Sequence, residues 1–85
     1  MNLRAYLQLS DRGEATRIAH AVAVSPTMIS QYASGAKTPA AHTAASIERA
    51  TAGAVMRWDL RDDWREIWPE LASRPDAPSE RKDAA

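Results

Sequence analysis

Residues 15–34 read ATRIAHAVAVSPTMISQYAS, two short helical patterns on either side of a tight connection, and the rest of the chain is organised around them. In the first half, Ile18, Ala19, Val22 and then Val24 recur at a spacing that puts one apolar stripe on one side of a helix. The connection falls at residues 23–25, and Ser25-Pro26 is a strong start signal. The serine hydroxyl can cap free backbone N–H groups, and proline at the first helical position gives up a donor the helix does not need. The second helix therefore begins at Pro26, with Met28, Ile29, Tyr32 and Ala33 on its apolar side, and Gly35 closes it as a left-handed C-cap. These residues predict a helix-turn-helix.

The opposite side of that second helix carries Thr27, Ser30, Gln31 and Ser34 at i, i+3, i+4 and i+7. A solvated helix face is normally written with Lys and Glu, which form i,i+4 pairs. This one has three hydroxyls, one amide and no charge. A glutamine can make a bidentate contact to adenine in the major groove of DNA, and serine or threonine can hydrogen-bond base edges or touch the thymine methyl. Short side chains let such a helix lie deep in the groove.

The segment resembles the helix-turn-helix of phage Cro and repressor proteins. The small residue inside that family's first helix falls on Ala19, its hydrophobic positions on Ile18, Val22, Val24 and Ile29, and its later core position on Tyr32. It departs at Ala23, where the family has glycine in the turn; alanine there must adopt the turn's backbone at a small cost. The longer run, from ISQYASGAKTPA through IERATAGAVMRWDLRDDWREIWPEL, is similar to the Cro-like regulators of the YdaS type found in prophages, which are antitoxin-like proteins. The resemblance spans residues 1–71. It implies an all-α, lambda-repressor-like domain, and the periodicities along the chain supply about five short helices.

The 85 residues suit one small domain, residues 1–71, followed by a Pro-, Ser- and charge-rich tail at 72–85 expected to be disordered. Hydrophobic residues make up 45%, with many alanines, three Trp and no Phe, as short, closely packed helices require. No cysteine is present, so a disulfide framework, a zinc finger of cysteines and a thiol nucleophile are excluded. The most apolar window, residues 18–24, is too short to span a bilayer, and the N-terminus lacks a signal-peptide core, so a cytoplasmic protein of a bacterial cell is expected. Formal net charge is zero, unlike many DNA-binding modules, but the charge is divided. Residues 1–53 carry five bases against three acids and the remainder six against eight.

Ahead of the central segment, Asn2 can cap a first helix bearing Leu3, Tyr6 and Leu7, and residues 10–13, SDRG, form a loop leading into the next helix. Arg12 and Thr16, near that helix's start, are placed to meet a phosphate. After Gly35, Pro39 is expected to open a fourth helix over residues 40–52, with Ala40, Ala44 and Ile47 on its apolar side and Gly53 ending it. Lys37 and Thr38 lie just past the second helix of the pair, where related folds hold the DNA backbone.

At residues 54–60 the period changes: Ala54, Met56, Trp58 and Leu60 alternate with Val55, Arg57, Asp59 and Arg61. Either residues 55–60 are extended chain packed on the helices, or they form one short strand that pairs with its copy in a second subunit. In the second case Met56, Arg57, Trp58 and Asp59 build the dimer interface, Arg57 lying opposite the partner's Asp59. Asp62-Asp63 then starts a short helix whose stripe is Trp64, Ile67, Trp68 and Leu71, disturbed by Pro69. The acids around the two tryptophans would repel phosphate, so packing rather than base stacking is expected of them.

No nucleophile has a neighbouring base, no glycine loop is built to cradle phosphate and no carboxylates cluster in an apolar setting. His20 and His42 lack metal spacing. Neither catalysis nor a cofactor or metal is expected. The chain reads as a sequence-specific transcriptional repressor binding double-stranded DNA at a palindromic operator as a dimer. Thr27, Ser30 and Gln31 would read bases, Ser25 and Ser34 touch base edges or phosphate, and Arg12, Thr16, Lys37 and Thr38 hold the backbone. The alternative is an antitoxin-like protein-interaction module whose Trp-rich C-terminal end neutralises a toxin or other protein partner, with DNA binding secondary.

Overall fold

The computed structural model describes residues 1–78. Six α-helices follow one another along them: α1 (Leu3–Leu9), α2 (Glu14–Val22), α3 (Pro26–Ser34), α4 (Ala41–Ala50), α5 (Arg57–Leu60) and α6 (Trp64–Ile67). A 3₁₀ helix, Pro69–Ser73, comes after them, and no strand occurs among the described residues. The fold is all-α, as the sequence predicts, and α2 and α3 stand across a three-residue connection in the helix-turn-helix arrangement. No helix of these residues is long and apolar enough to cross a membrane.

Local chemistry accounts for the first four helices. The Asn2 side chain accepts the Ala5 amide at 2.7 Å and starts α1. The Ser25 hydroxyl accepts the Met28 amide at 3.1 Å and starts α3, with Pro26 in the first turn. Gly35, at φ 85°, ends α3 in the left-handed region, as expected. Helix α4 is shorter than the expected 40–52. Ala40 is its N-cap, Pro39 is fully buried ahead of it, and Thr51 is its C-cap, followed by two left-handed residues, Ala52 at φ 54° and Gly53 at φ 86°.

One residue or more from each of several segments meets in the core: Leu3 of α1, Ile18 and Ala19 of α2, Ile29 of α3, Ile47 of α4 and Val55 before α5. Full burial of each larger aliphatic side chain contributes roughly 1.5–3 kcal/mol. This core fixes α3 from behind, because Ile29 is inaccessible to solvent while its helix is open on the other side.

The strand anticipated over residues 55–60 is not there. Residues 57–60 form α5, and adjacent Val55 and Met56 are both buried, which a strand with one apolar face cannot achieve. The Thr51 hydroxyl takes the Val55 amide at 3.1 Å, and the Asp59 carboxylate takes the Met56 amide at 2.9 Å, which turns the chain into a helix start. Cross-strand pairing of Arg57 with a partner's Asp59 therefore has no strand to form on. Arg57 is held by Glu48 of its own chain through both its backbone amide, at 3.1 Å, and its Nε, at 3.0 Å. Asp59 lies 3.3 Å from the N-terminal ammonium. Trp58 packs against Trp64 with ring centres 5.6 Å apart. Met56, Arg57, Trp58 and Asp59 are thus committed within one chain.

The stripe Trp64, Ile67, Trp68, Leu71 is also divided. Helix α6 stops at Ile67, and Pro69 begins the 3₁₀ helix, yet Trp64 and Leu71 both reach the interior. Guanidiniums cover the indoles: Arg57 over Trp68 at 5.2 Å, Arg65 over Trp64 at 4.4 Å and Arg74 over Trp58 at 5.7 Å. Of the tail expected to be disordered from residue 72, Ala72 and Ser73 belong to the 3₁₀ helix and Arg74 pairs with Asp76. Residues 79–85 lie outside the described residues.

Candidate nucleic-acid interface

The face of α3 away from Ile29 is assembled from the residues the sequence singles out. Thr27, Ser30 and Ser34 are exposed and Gln31 is half-buried. No acid or base lies on the helix itself, so the face presents hydroxyls and one amide at close approach to the backbone. Two of its hydroxyls also have local duties. Ser25 accepts the Met28 amide and keeps its own hydrogen for an outside acceptor. Ser34 donates to the Gln31 carbonyl at 3.2 Å and accepts the Ala36 amide at 3.3 Å, so it already serves the end of the helix.

The chain beyond Gly35 folds back on α3, the Lys37 amide donating to the Gln31 carbonyl at 3.2 Å. Lys37 and Thr38 are exposed and line, with Ser34, one cavity at this end of the helix. Arg12 and Thr16 are exposed at the other flank of the pair, Arg12 in the turn before α2 and Thr16 in its first turn. The nine residues expected to contact DNA therefore lie on α3, on the two turns that bound it, and in the turn before α2 and its first turn.

Helix α2 is braced by a network that the sequence reading overlooked, although Glu14 and Arg17 stand at the i,i+3 spacing that signals such a pair. The Tyr6 hydroxyl donates to Glu14 Oε2 at 2.6 Å, tying α1 to α2. Arg17 donates to both oxygens of the same carboxylate at 2.8 and 2.6 Å, and its Nη2 also reaches the Ala50 carbonyl at the end of α4. Hydrogen bonds from Arg17, and then from Tyr6, hold the Glu14 carboxyl down at about 2, against its ordinary 4.5. The same contact with Glu14 raises the Tyr6 hydroxyl and the Arg17 guanidinium. Arg17 is thereby a brace between helices.

Charge is distributed in a way that the neutral total hides. Arg57, Arg61 and Arg74 are each paired with a carboxylate, as is Arg17. Arg4, Arg12, Lys37 and Arg49 have no carboxylate within 4.0 Å among the described residues, and all four belong to the first four helices and their turns. Of the exposed acids, Asp11 lies beside Arg12, and Asp62, Glu66, Glu70 and Asp76 lie in the C-terminal third. The uncompensated positive charge therefore accumulates around the helix pair. His20 and His42 are both exposed, and no three metal-ligating side chains come together among the described residues.

No individual curated protein matches the chain. Residues 8–67 match the model of a family described as "Bacterial toxin YdaS", a toxin where the sequence resemblance implied antitoxin-like regulators. The match takes in α2 to α6 and the whole of the α3 face, and on that extent this chain belongs to the YdaS family of bacterial toxins.

Proposed function

We propose that the chain is a sequence-specific regulator that binds double-stranded DNA through α3 in the cytoplasm of a bacterial cell. The observation that carries the reading is the uncharged face of Thr27, Ser30 and Gln31, bounded by cations that no carboxylate neutralises. A face of short hydroxyls and an amide suits base edges in the major groove, and free cations at its flanks suit phosphates. Thr27, Ser30 and Gln31 read bases. Ser25, through its unused hydroxyl hydrogen, and Ser34, through a remaining lone pair, contact base edges or phosphate. Arg12, Thr16, Lys37 and Thr38 hold the backbone.

Repression is steric. Two copies set their α3 helices in successive major grooves, about 34 Å apart, on a palindromic site and exclude polymerase. Few phosphate contacts per copy make the affinity of one copy modest and strongly salt-dependent, so pairing on the operator supplies the remainder. An effect described as toxic is compatible with this chemistry, since occupying a site that a cell must transcribe is itself harmful.

Selection from a randomised duplex pool at about 0.1 M salt tests the reading, since at that salt phosphate attraction alone is already weakened. Enrichment of a palindrome is the expected result. A folded protein that enriches no sequence overturns it and turns attention to protein partners of the segment holding Trp58, Trp64 and Trp68.

A further inference from the structure

A cavity of about 330 Å³ opens at the C-terminal end of α3. Its polar lining includes Asn2 and Arg4 at the start of α1, Ser34 at the end of α3, Lys37 and Thr38 in the following turn, and Asp59 of α5. Helix α1 packs on α3, so the fold brings Arg4 to this end of the helix although it is thirty-three residues from Lys37 in the chain.

The charges around the cavity are unequal in their commitments. Arg4 and Lys37 are exposed and have no carboxylate partner among the described residues. Asp59, the sole acid on the lining, is engaged by the Met56 amide at 2.9 Å and the N-terminal ammonium at 3.3 Å. Lys37 is held in position through its own amide on the Gln31 carbonyl. Two free cations outnumber the one carboxylate on this concavity, whose Oδ2 takes both the Met56 amide and the N-terminal ammonium, and together they form a seat for a tetrahedral oxyanion. The cavity is continuous with the exposed side of α3 through Ser34, which belongs to both.

We infer that Arg4 and Lys37 together seat one DNA-backbone phosphate in this cavity, which makes Arg4, on a helix outside the helix-turn-helix pair, a DNA-contacting residue. The inference rests on the DNA-binding reading above. Arg4 sets the register of α3 along the groove by fixing the backbone at its far end, and carries no sequence information itself.

The test is the salt dependence of duplex binding for wild type, Arg4→Ala, Arg4→Lys and Arg49→Ala, the last removing a cation that does not line the cavity. Arg4 makes no hydrogen bond that the fold needs, and alanine is the best helix former, so the variant folds. Arg4→Ala is expected to lower the slope of log K against log salt by about one and to weaken selected and random duplexes by the same factor. Arg4→Lys keeps the slope and Arg49→Ala leaves it close to wild type. An Arg4→Ala slope equal to wild type overturns the inference, while loosened selection in Gln31→Ala would still uphold the reading on which it rests. A wild-type chain that binds no duplex overturns both. Inorganic phosphate at matched ionic strength separates the two sources of the anion. If it raises the melting temperature of wild type and not of Arg4→Ala while the DNA slope is unchanged, the cavity takes free anions and its assignment to DNA fails.

Discussion

The Val24 amide donates to the Ala19 carbonyl at 3.0 Å across a left-handed Ala23. The Ala23 amide reaches the His20 carbonyl at 3.4 Å, and the pair of bonds forms the closure by which helices end in a residue at positive φ. Ala23 has φ 63° and ψ 41°, where a Cβ costs roughly 1–2 kcal/mol. Ala23→Gly removes that cost and gives back part of it as unfolded-state entropy. A gain of about 0.5–1 kcal/mol is expected, read as a melting temperature about 2–6 °C higher. Urea unfolding that shows the glycine variant equal to or weaker than wild type would mean the turn is not strained.

Acid should loosen the bracing of α2. Glu14 titrates at about 2 in the folded chain against 4.5 for the free side chain, so its contribution to stability is complete above about 4.5 and disappears as the pH falls towards 2. The sign follows from the folded state binding the proton less readily than the unfolded one. Unfolding midpoints measured from pH 6 to 2.5 should fall across that window in wild type and fall less in Glu14→Gln, which cannot lose the charge. Tyr6→Phe removes one charge-assisted hydrogen bond and should cost about 1–2 kcal/mol at neutral pH.

Helix α5 offers a test that separates a helix cap from a dimer strand. Asp59→Ala takes away the acceptor for the Met56 amide and should cost on the order of 1 kcal/mol, as loss of a helix cap does, with Asp59→Asn costing less. Sedimentation should find the oligomeric state of the free protein unchanged in Asp59→Ala. A variant that alters self-association would restore residues 57–59 to an interface.

The contrast between α3 and α5 shows what the sequence can disclose. Ser25-Pro26 and Gly35 bracket α3 by chemistry local to each end, and nine residues contain enough turns to reveal which side carries Ile29 and which carries Thr27, Ser30 and Gln31. Helix α5 has four residues, too few to distinguish a period of 2 from one of 3.6. What decides it is largely distant: Glu48 of α4 receiving Arg57, and Thr51 receiving Val55. The local clue was Asp59, three residues after Met56, placed to reach back to its amide. The candidate interface divides in the same way. Its α3 face is legible from spacing, whereas Arg4 joins Lys37 only through the packing of α1 on α3.

Gln31 and Lys37 should fail differently. Gln31 is half-buried on α3, on the side that carries Thr27 and Ser30. Gln31→Ala should cost about 1–3 kcal/mol on the selected duplex, relax the preference at one base pair of each half-site, and leave random DNA nearly unaffected. Lys37 is exposed in a turn whose position is fixed by its backbone, and its cation recognises a phosphate on any sequence. Lys37→Ala should therefore weaken selected and random duplexes alike and lower the salt slope by about one. Ser34→Ala should register in both stability and DNA affinity, because the hydroxyl that joins the Gln31 carbonyl to the Ala36 amide also keeps one lone pair for the DNA. Identical behaviour of Gln31→Ala and Lys37→Ala on the two kinds of DNA would remove the distinction between a reading face and a holding edge, and with it the claim that α3 enters the groove.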